Sequence, residues 1–218
     1  MAPNLDTTIH HAVTSGTFSL DGETFAVDNN IWVVGDDREC VVIDAPHSVA
    51  DILAVVAGRA VRAIVCTHAH DDHVRVAPEL RARVGAPVLL HPADEPLWNL
   101  THPGEPWDVD LSDGMTIEVG DTTLRVLHTP GHAPGAVCLH APDLDCVFTG
   151  DTLFHGGPGA TGRSYSDARL IEESVRRRLF ALPKETVVHT GHGESTTIGA
   201  EQRRLAAAGS EREKEKQR

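Results

Sequence analysis

The chain has 218 residues, 40% of them hydrophobic, so it can bury a sizeable core without disulfide staples and is read as a single domain. A formal net charge of -13 argues against nucleic acid or an anionic membrane surface as the main partner, because phosphates would be repelled away from any locally positive site. The four cysteines Cys40, Cys66, Cys138 and Cys146 form no Cys-x-x-Cys pair and read as buried reduced thiols; with no signal-like start in residues 1–11 and no membrane-length apolar run, a cytoplasmic location is expected.

Residues 17–44 alternate as strands do: Phe18 and Leu20, Phe25 and Val27, then Ile31-Trp32-Val33-Val34 and Cys40-Val41-Val42-Ile43. Asp21-Gly22, Asp28-Asn29-Asn30 and Gly35-Asp36-Asp37 read as the turns between them. Asp44 ends the last strand. Ser48 then caps a predicted helix that runs to Gly58, with Val49, Ile52, Leu53 and Val56 at helical spacing. A strand over residues 61–66 follows.

That strand leads into Thr67-His68-Ala69-His70-Asp71-Asp72-His73, which carries three imidazoles and two carboxylates in seven residues. Side chains alternate along an extended segment, so His68 and His70 point to the same side and can share one ion. Asp72 and His73 fall where the chain turns into a helix, and their different directions suit a second ion beside the first. Carboxylate with imidazole fits zinc, iron or manganese better than copper or a calcium cage.

Residues 74–84 read as a helix ending at Gly85, and residues 87–90 as a short buried strand. Residues 91–113 hold four prolines, Trp98 and Trp107 and little periodicity, so a long surface loop is expected, with His91 and His102 as surface histidines. Strands resume after Gly114, and one arrangement recurs three times. Leu124 to Leu127 runs into Thr129-Pro130-Gly131-His132, Cys146 to Phe148 into Thr149-Gly150-Asp151, and Thr186 to Val188 into Thr190-Gly191-His192. Each glycine lets the backbone turn and approach closely, so His132, Asp151 and His192 can meet the first motif at a sheet edge. His128, His155 and His189 flank these motifs and read as structural.

Pro142 to Asp145 reads as a hairpin, and the glycine-rich stretch 156–162 lacks the Gly-Lys-Ser/Thr ending of a phosphate loop. Asp167 caps a predicted helix to about Leu182, a last helix is expected over residues 199–208, and residues 210–218 are expected to be a disordered charged tail beyond a domain of residues 1–209.

With these motifs assembled, the chain resembles the metallo-β-lactamase fold superfamily and is most similar within it to glyoxalase II-type hydrolases. The resemblance rests on Val42-Ile43-Asp44, Thr67 to His73, Thr129 to His132, Phe148 to Phe154, and Gly191-His192-Gly193 with Thr196 to Gly199. It implies an α/β fold, a four-layer αβ/βα sandwich of two mixed sheets flanked by helices, with the site at one sheet edge. It also implies that His68, His70 and His132 hold one divalent ion and Asp72, His73 and His192 a second, with Asp151 bridging; zinc is expected, iron or manganese being possible. A glutamate at the place of His70 would mark the flavo-diiron branch, and a cysteine at that of Asp151 the true β-lactamases most often discussed. Two departures are visible. Val74-Arg75-Val76 stands where glyoxalase II proteins usually have a residue and two glycines, and the sequence ends soon after Gly199, where long members continue into a glutathione-binding helical domain.

Two divalent ions against two aspartates would leave an electrophilic centre at which bound water ionises with a pKa of about 7. Asp72 and Asp151 are the acids assigned to that centre. No dedicated proton donor is evident beyond the ligands, which favours thioesters, whose thiol leaves with a pKa of roughly 8.5, over amides. The expected function is hydrolysis of small acyl-thiol thioesters. A lactonase or other esterase is the first alternative, with Tyr165 as the one tyrosine available, and a mononuclear-iron persulfide dioxygenase the second. Asp44 is expected to orient a ligand histidine and Arg163 to tie down the loop after Asp151. The partner expected is a small-molecule substrate, with the protein a monomer or homodimer.

Overall fold

A computed structural model describes residues 6–216. The first half builds a sheet of six strands, β1 (Thr8–Leu20), β2 (Glu23–Gly35), β3 (Glu39–Ile43), β4 (Ala60–Val65), β5 (Val88–Leu90) and β6 (Val109–Asp110), arranged in chain order. The first three pair antiparallel and β3 to β6 pair parallel. Parallel neighbours need crossovers, and these are α1 (Val49–Val56), α2 (Asp71–Val74) with α3 (Ala77–Val84), and α4 (Glu95–Thr101). The second half builds another six-stranded sheet from β7 (Thr116–Val119), β8 (Thr122–His128), β9 (Val137–Ala141) and β10 (Cys146–Gly150). A two-stranded ribbon, β11 (Leu153–Phe154) and β12 (Gly157–Pro158), and α5 (Ala168–Ser174) then lead to β13 (Val187–Thr190), β14 (Thr196–Thr197) and α6 (Ile198–Lys216). The second sheet has the order β14-β13-β10-β9-β8-β7, with β10 and β13 parallel.

The alternation of side chains across each strand sorts the apolar residues into three layers of core. Trp32, Val34, Val41, Ile43 and Val65 face Val126, Leu139 and Phe148 between the two sheets. Their neighbours Ile31, Val33, Val42 and Ile64 point the other way, against Ile52, Leu80 and Trp98 of the first helical layer. On the far side Cys138 and Val147 pack with Ile171, Leu179 and Ile198. The result is the helix, sheet, sheet, helix sandwich that the family resemblance implies.

Several local expectations are corrected. Asp28-Asn29-Asn30 is no turn but lies within β2, which runs on to Gly35, and β1 starts at Thr8 rather than near Thr17. Asparagine is a poor strand former; here Asn30 donates to the carbonyls of Thr190 and Gly193, and Asn29 to Asp72, which compensates. The helix over residues 74–84 is two helices, broken at Arg75 and Val76 ahead of Pro78. The predicted surface loop 91–113 contains a 3-10 turn (Pro92–Asp94) and α4, whose Leu97 and Trp98 are buried; both elements carry proline in the first turn, where its missing N–H costs nothing. The Asp167-capped helix ends as α-helix at Ser174 and continues as a π-helical turn, Val175–Leu179. The last helix reaches Lys216, into the stretch from Ser210 onward where the sequence predicts a disordered tail; residues 217–218 of that tail, like residues 1–5, lie outside the described residues. No helix among the described residues is long and apolar enough to cross a membrane.

Candidate metal centre

Strand β4 ends at Val65, the chain bends at Thr67, and His70, itself extended, precedes α2. Asp72 and His73 therefore emerge from the first turn of a helix while His68 and His70 emerge from the segment before it. The second sheet brings His132 after β8, Asp151 after β10 and His192 after β13 to the same edge. The glycines before them are needed for close approach. A Cβ on Gly150, whose φ is +47°, would meet the Thr67 side chain, and one on Gly191 would meet the Asp151 carboxylate.

The seven predicted side chains converge. Donor atoms of His68, His70 and His132 lie within 4.8 Å of one another, as do those of Asp72, His73 and His192, and those of His68, His73 and Asp151. His70 Nδ1 is 3.1 Å from His68 Nε2 and 3.0 Å from His132 Nε2. His73 Nε2 is 3.2 Å from His192 Nε2, which is 3.3 Å from Asp72 Oδ2. Asp151 faces both groups, with Oδ2 at 3.5 Å from His132 Nε2 and 3.4 Å from His192 Nε2, and Oδ1 at 3.3 Å from His73 Nε2.

The outer nitrogen of most of these rings is already occupied, which fixes which nitrogen faces inward. His73 Nδ1 is 2.8 Å from Asp44 Oδ2, His132 Nδ1 donates to the carbonyl of Ala160, and His192 Nδ1 donates to the carbonyl of Asp28. Asp44 also accepts from the Thr67 backbone N–H and hydroxyl, so one carboxylate holds both ends of the first motif.

Buried charges dominate the electrostatics. Burial would raise the Asp72 pKa, but His73, a hydrogen bond from His192 and one from Asn29 hold it at about 2. Burial opposes charge on His192, yet the Asp151 carboxylate and hydrogen bonds to Asp151 and Asp72 lift its pKa to about 10. His73 is likewise held well above the ordinary range against burial by Asp72, Asp151 and Asp44. Burial, reinforced by His132, pushes His70 down to about 3, and burial with His73 keeps His68 neutral.

The donor set fits divalent metal. The nitrogens that His68, His70 and His132 turn toward one another lie 3.0–3.1 Å apart, the buried Asp151 Oδ1 has no hydrogen-bond partner among the described residues, and imidazole with carboxylate is the chemistry of zinc, iron and manganese sites. Burying such atoms unpaired is costly unless something coordinates them.

Three residues outside the predicted set support the cluster. Asn29 Nδ2 donates to Asp72 Oδ2 at 3.0 Å, while His47 Nε2 lies 2.7 Å from Asn29 Oδ1. Asp94, fully buried, accepts from the backbone N–H of Ala69, between His68 and His70, and from that of Gly135, just beyond His132. Of the residues expected to support the site, Arg163 does lie at the mouth, 2.9 Å from Glu23. Tyr165 has an exposed side chain and is not part of the cavity wall beside the cluster. That cavity has a volume of about 450 Å³ and brings His70, Asp72, His132, Asp151 and His192 up against Phe18, Phe25, Val27 and Phe154.

The family model for the metallo-beta-lactamase superfamily matches residues 25–192. A probable metallo-hydrolase, YqgX, of Bacillus subtilis is 31% identical over 191 residues, covering 81% of this chain and 90% of that protein. A hydroxyacylglutathione hydrolase of Cereibacter sphaeroides is 36% identical over 169 residues, covering 76% of this chain but 62% of that longer protein. Among solved structures, TTHA1623 in a di-iron-bound form superposes with a TM-score of 0.71 at 35% identity, covering 87% of this chain and 97% of that one. Fold, motif positions and relatives agree: the chain belongs to the metallo-beta-lactamase superfamily.

Proposed function

We propose that this protein is a metal-dependent hydrolase of small acyl thioesters. The observation that carries the reading is the meeting of seven imidazole and carboxylate side chains, the buried Asp151 Oδ1 among them unpaired, beside one cavity that His70, Asp72, His132, Asp151 and His192 line. On this reading His68, His70 and His132 hold one ion, Asp72, His73 and His192 hold the other, and Asp151 lies between them. Divalent ions so held supply Lewis acidity and lower the pKa of bound water to about 7. Zinc is the ion proposed; iron is supported by the di-iron form of the neighbouring structure.

The chain's own groups set the rest. Asp44 orients His73 and Asn29 orients Asp72, so the donors are fixed before anything binds. Beyond the clustered side chains the cavity wall holds no lysine, glutamate or tyrosine, and its one further carboxyl, Asp28, is exposed and accepts from the Ser15 hydroxyl, so no acid is poised to protonate a departing amine. A thiolate needs no such proton, since thiols ionise with a pKa of roughly 8.5. The hydroxyacylglutathione hydrolase among the relatives supports a thioester as the bond broken.

The test joins metal analysis to a panel of acyl-thiol conjugates and lactones. Two metals per chain with chelator-sensitive thioester turnover support the proposal. A single iron with oxygen uptake on a persulfide, or turnover of lactones alone, would replace it.

A further inference from the structure

Beside the clustered imidazoles and carboxylates the cavity is lined by Phe18 and Phe25, which pair across the β1–β2 hairpin just short of its polar Asp21-Gly22 turn. Phe18 lies with its ring centre 5.1 Å from that of His70, and Phe25, Val27 and Phe154 continue the same wall. The hairpin is fastened at both sides of the cleft. On one side the Ser19 N–H donates to Asp71, and Arg75 donates to the carbonyl of Thr17. On the other the Ser164 N–H donates to Asp21, and Arg163 pairs with Glu23 while its guanidinium stands 4.6 Å from the Phe25 ring centre. The aromatic side chains are thus held beside the cluster by polar contacts at both edges.

Glutathione is a poor match for this wall. It carries two carboxylates and an ammonium, whereas outside the cluster the cavity wall offers one permanent cation, Arg163, already paired with Glu23, and one carboxylate, Asp28. An apolar arm, in contrast, would cover Phe18, Phe25 and Phe154 and remove them from water.

We propose that the wall formed by Phe18, Phe25, Val27 and Phe154 is a specificity subsite for an apolar arm of the substrate, so that the thioesters acted on carry alkyl or aryl groups and the glutathione moiety is not required. The inference rests on the thioester reading, because it takes the reacting carbonyl to lie at the cluster. Either arm of a thioester could reach the wall, the acyl chain or the thiol substituent.

Binding of the two product types tests this independently of turnover. Calorimetric titration of metal-loaded protein uses straight-chain carboxylates from butanoate to decanoate for the acyl arm, and alkanethiols from ethyl to hexyl for the thiol arm. The expected result is a tightening of up to roughly fourfold per added methylene in one series, as apolar burial gives, with the steeper series identifying the arm. Phe25→Ser should flatten that slope while leaving the shortest ligand's affinity unchanged; Phe25 is 41% exposed, so its loss leaves the core intact. Phe154→Ser provides a second variant from another element. Flat slopes in both series, or slopes that both variants leave unchanged, overturn the subsite. Steep slopes in a protein that cleaves no thioester would retain the subsite and discard the hydrolase proposal.

Discussion

His73 Nδ1 lies 2.8 Å from Oδ2 of Asp44, a residue held in the left-handed region at φ +63° at the end of β3. The same carboxylate accepts from the Thr67 backbone, so the backbone conformation of one acid aims the motif that follows the neighbouring strand. Asp44→Ala should weaken metal binding by about tenfold or more, in line with the loss of a partner to a ligating histidine. Competition against a chromophoric chelator reads this directly, and an unchanged affinity would remove Asp44 from the site's support.

Asn29 gives a more selective prediction. Its amide holds Asp72, which belongs to the Asp72, His73 and His192 group alone. Asn29→Ala should therefore empty that position first, by roughly tenfold in affinity, and leave the His68, His70 and His132 position filled. Metal stoichiometry during dialysis against a chelator would fall to one per chain before reaching zero; a simultaneous loss of both would contradict the assignment.

Asp94 is predicted to act through stability. Asp94→Ala leaves two buried N–H groups, of Ala69 and Gly135, without their acceptor, at a cost of about 1–3 kcal/mol each. Burial raises the Asp94 pKa from 3.8 to about 6, outweighing the lowering by its hydrogen bonds. A folded-state value above the unfolded one means that its contribution is greatest below pH 3.8 and is lost as the pH rises through about 6. Urea unfolding of wild type and Asp94→Asn at pH 5 and pH 7 should show the wild type losing ground at the higher pH.

Metal uptake should release protons. His73 is held well above the ordinary histidine range, and His192 is lifted to about 10 against burial by Asp151. The surrounding carboxylates thus favour the protonated form of this pair of rings in the metal-free site, and both must be neutral to ligate. Affinity should accordingly rise with pH. Calorimetry in buffers of different ionisation enthalpy should show a net release of protons on filling the site. Release of none would mean that these two rings do not bind the ions.

Much of this was legible in the residues themselves. Thr67 to His73 and the three glycine-preceded strand ends mark the seven converging side chains, because ligand spacing and close backbone approach are local properties. The supporting groups were not legible. Asn29 looks like a turn residue, and only its pairing with Asp72 and His47, which come from other elements, explains an asparagine inside a strand. Asp94 was hidden in a segment whose prolines suggest a loop, although Pro92 and Pro96 each sit at the start of a helical turn. A buried carboxylate that bonds two distant backbone N–H groups leaves no pattern in its own neighbourhood. Tyr165, singled out as the one tyrosine in the sequence, has an exposed side chain and does not line the cavity.

The division of donors between the halves of the chain has one more consequence. His68, His70, Asp72 and His73 follow strands of the first sheet, and His132, Asp151 and His192 follow strands of the second. Ions bound as proposed would rivet two halves together, and every increment of their affinity would also be an increment of cohesion across the Trp32 and Phe148 layer. A cell that withholds metal would then loosen the protein as well as silence it, and scarcity of the ion would be felt as susceptibility to proteolysis before any substrate was encountered.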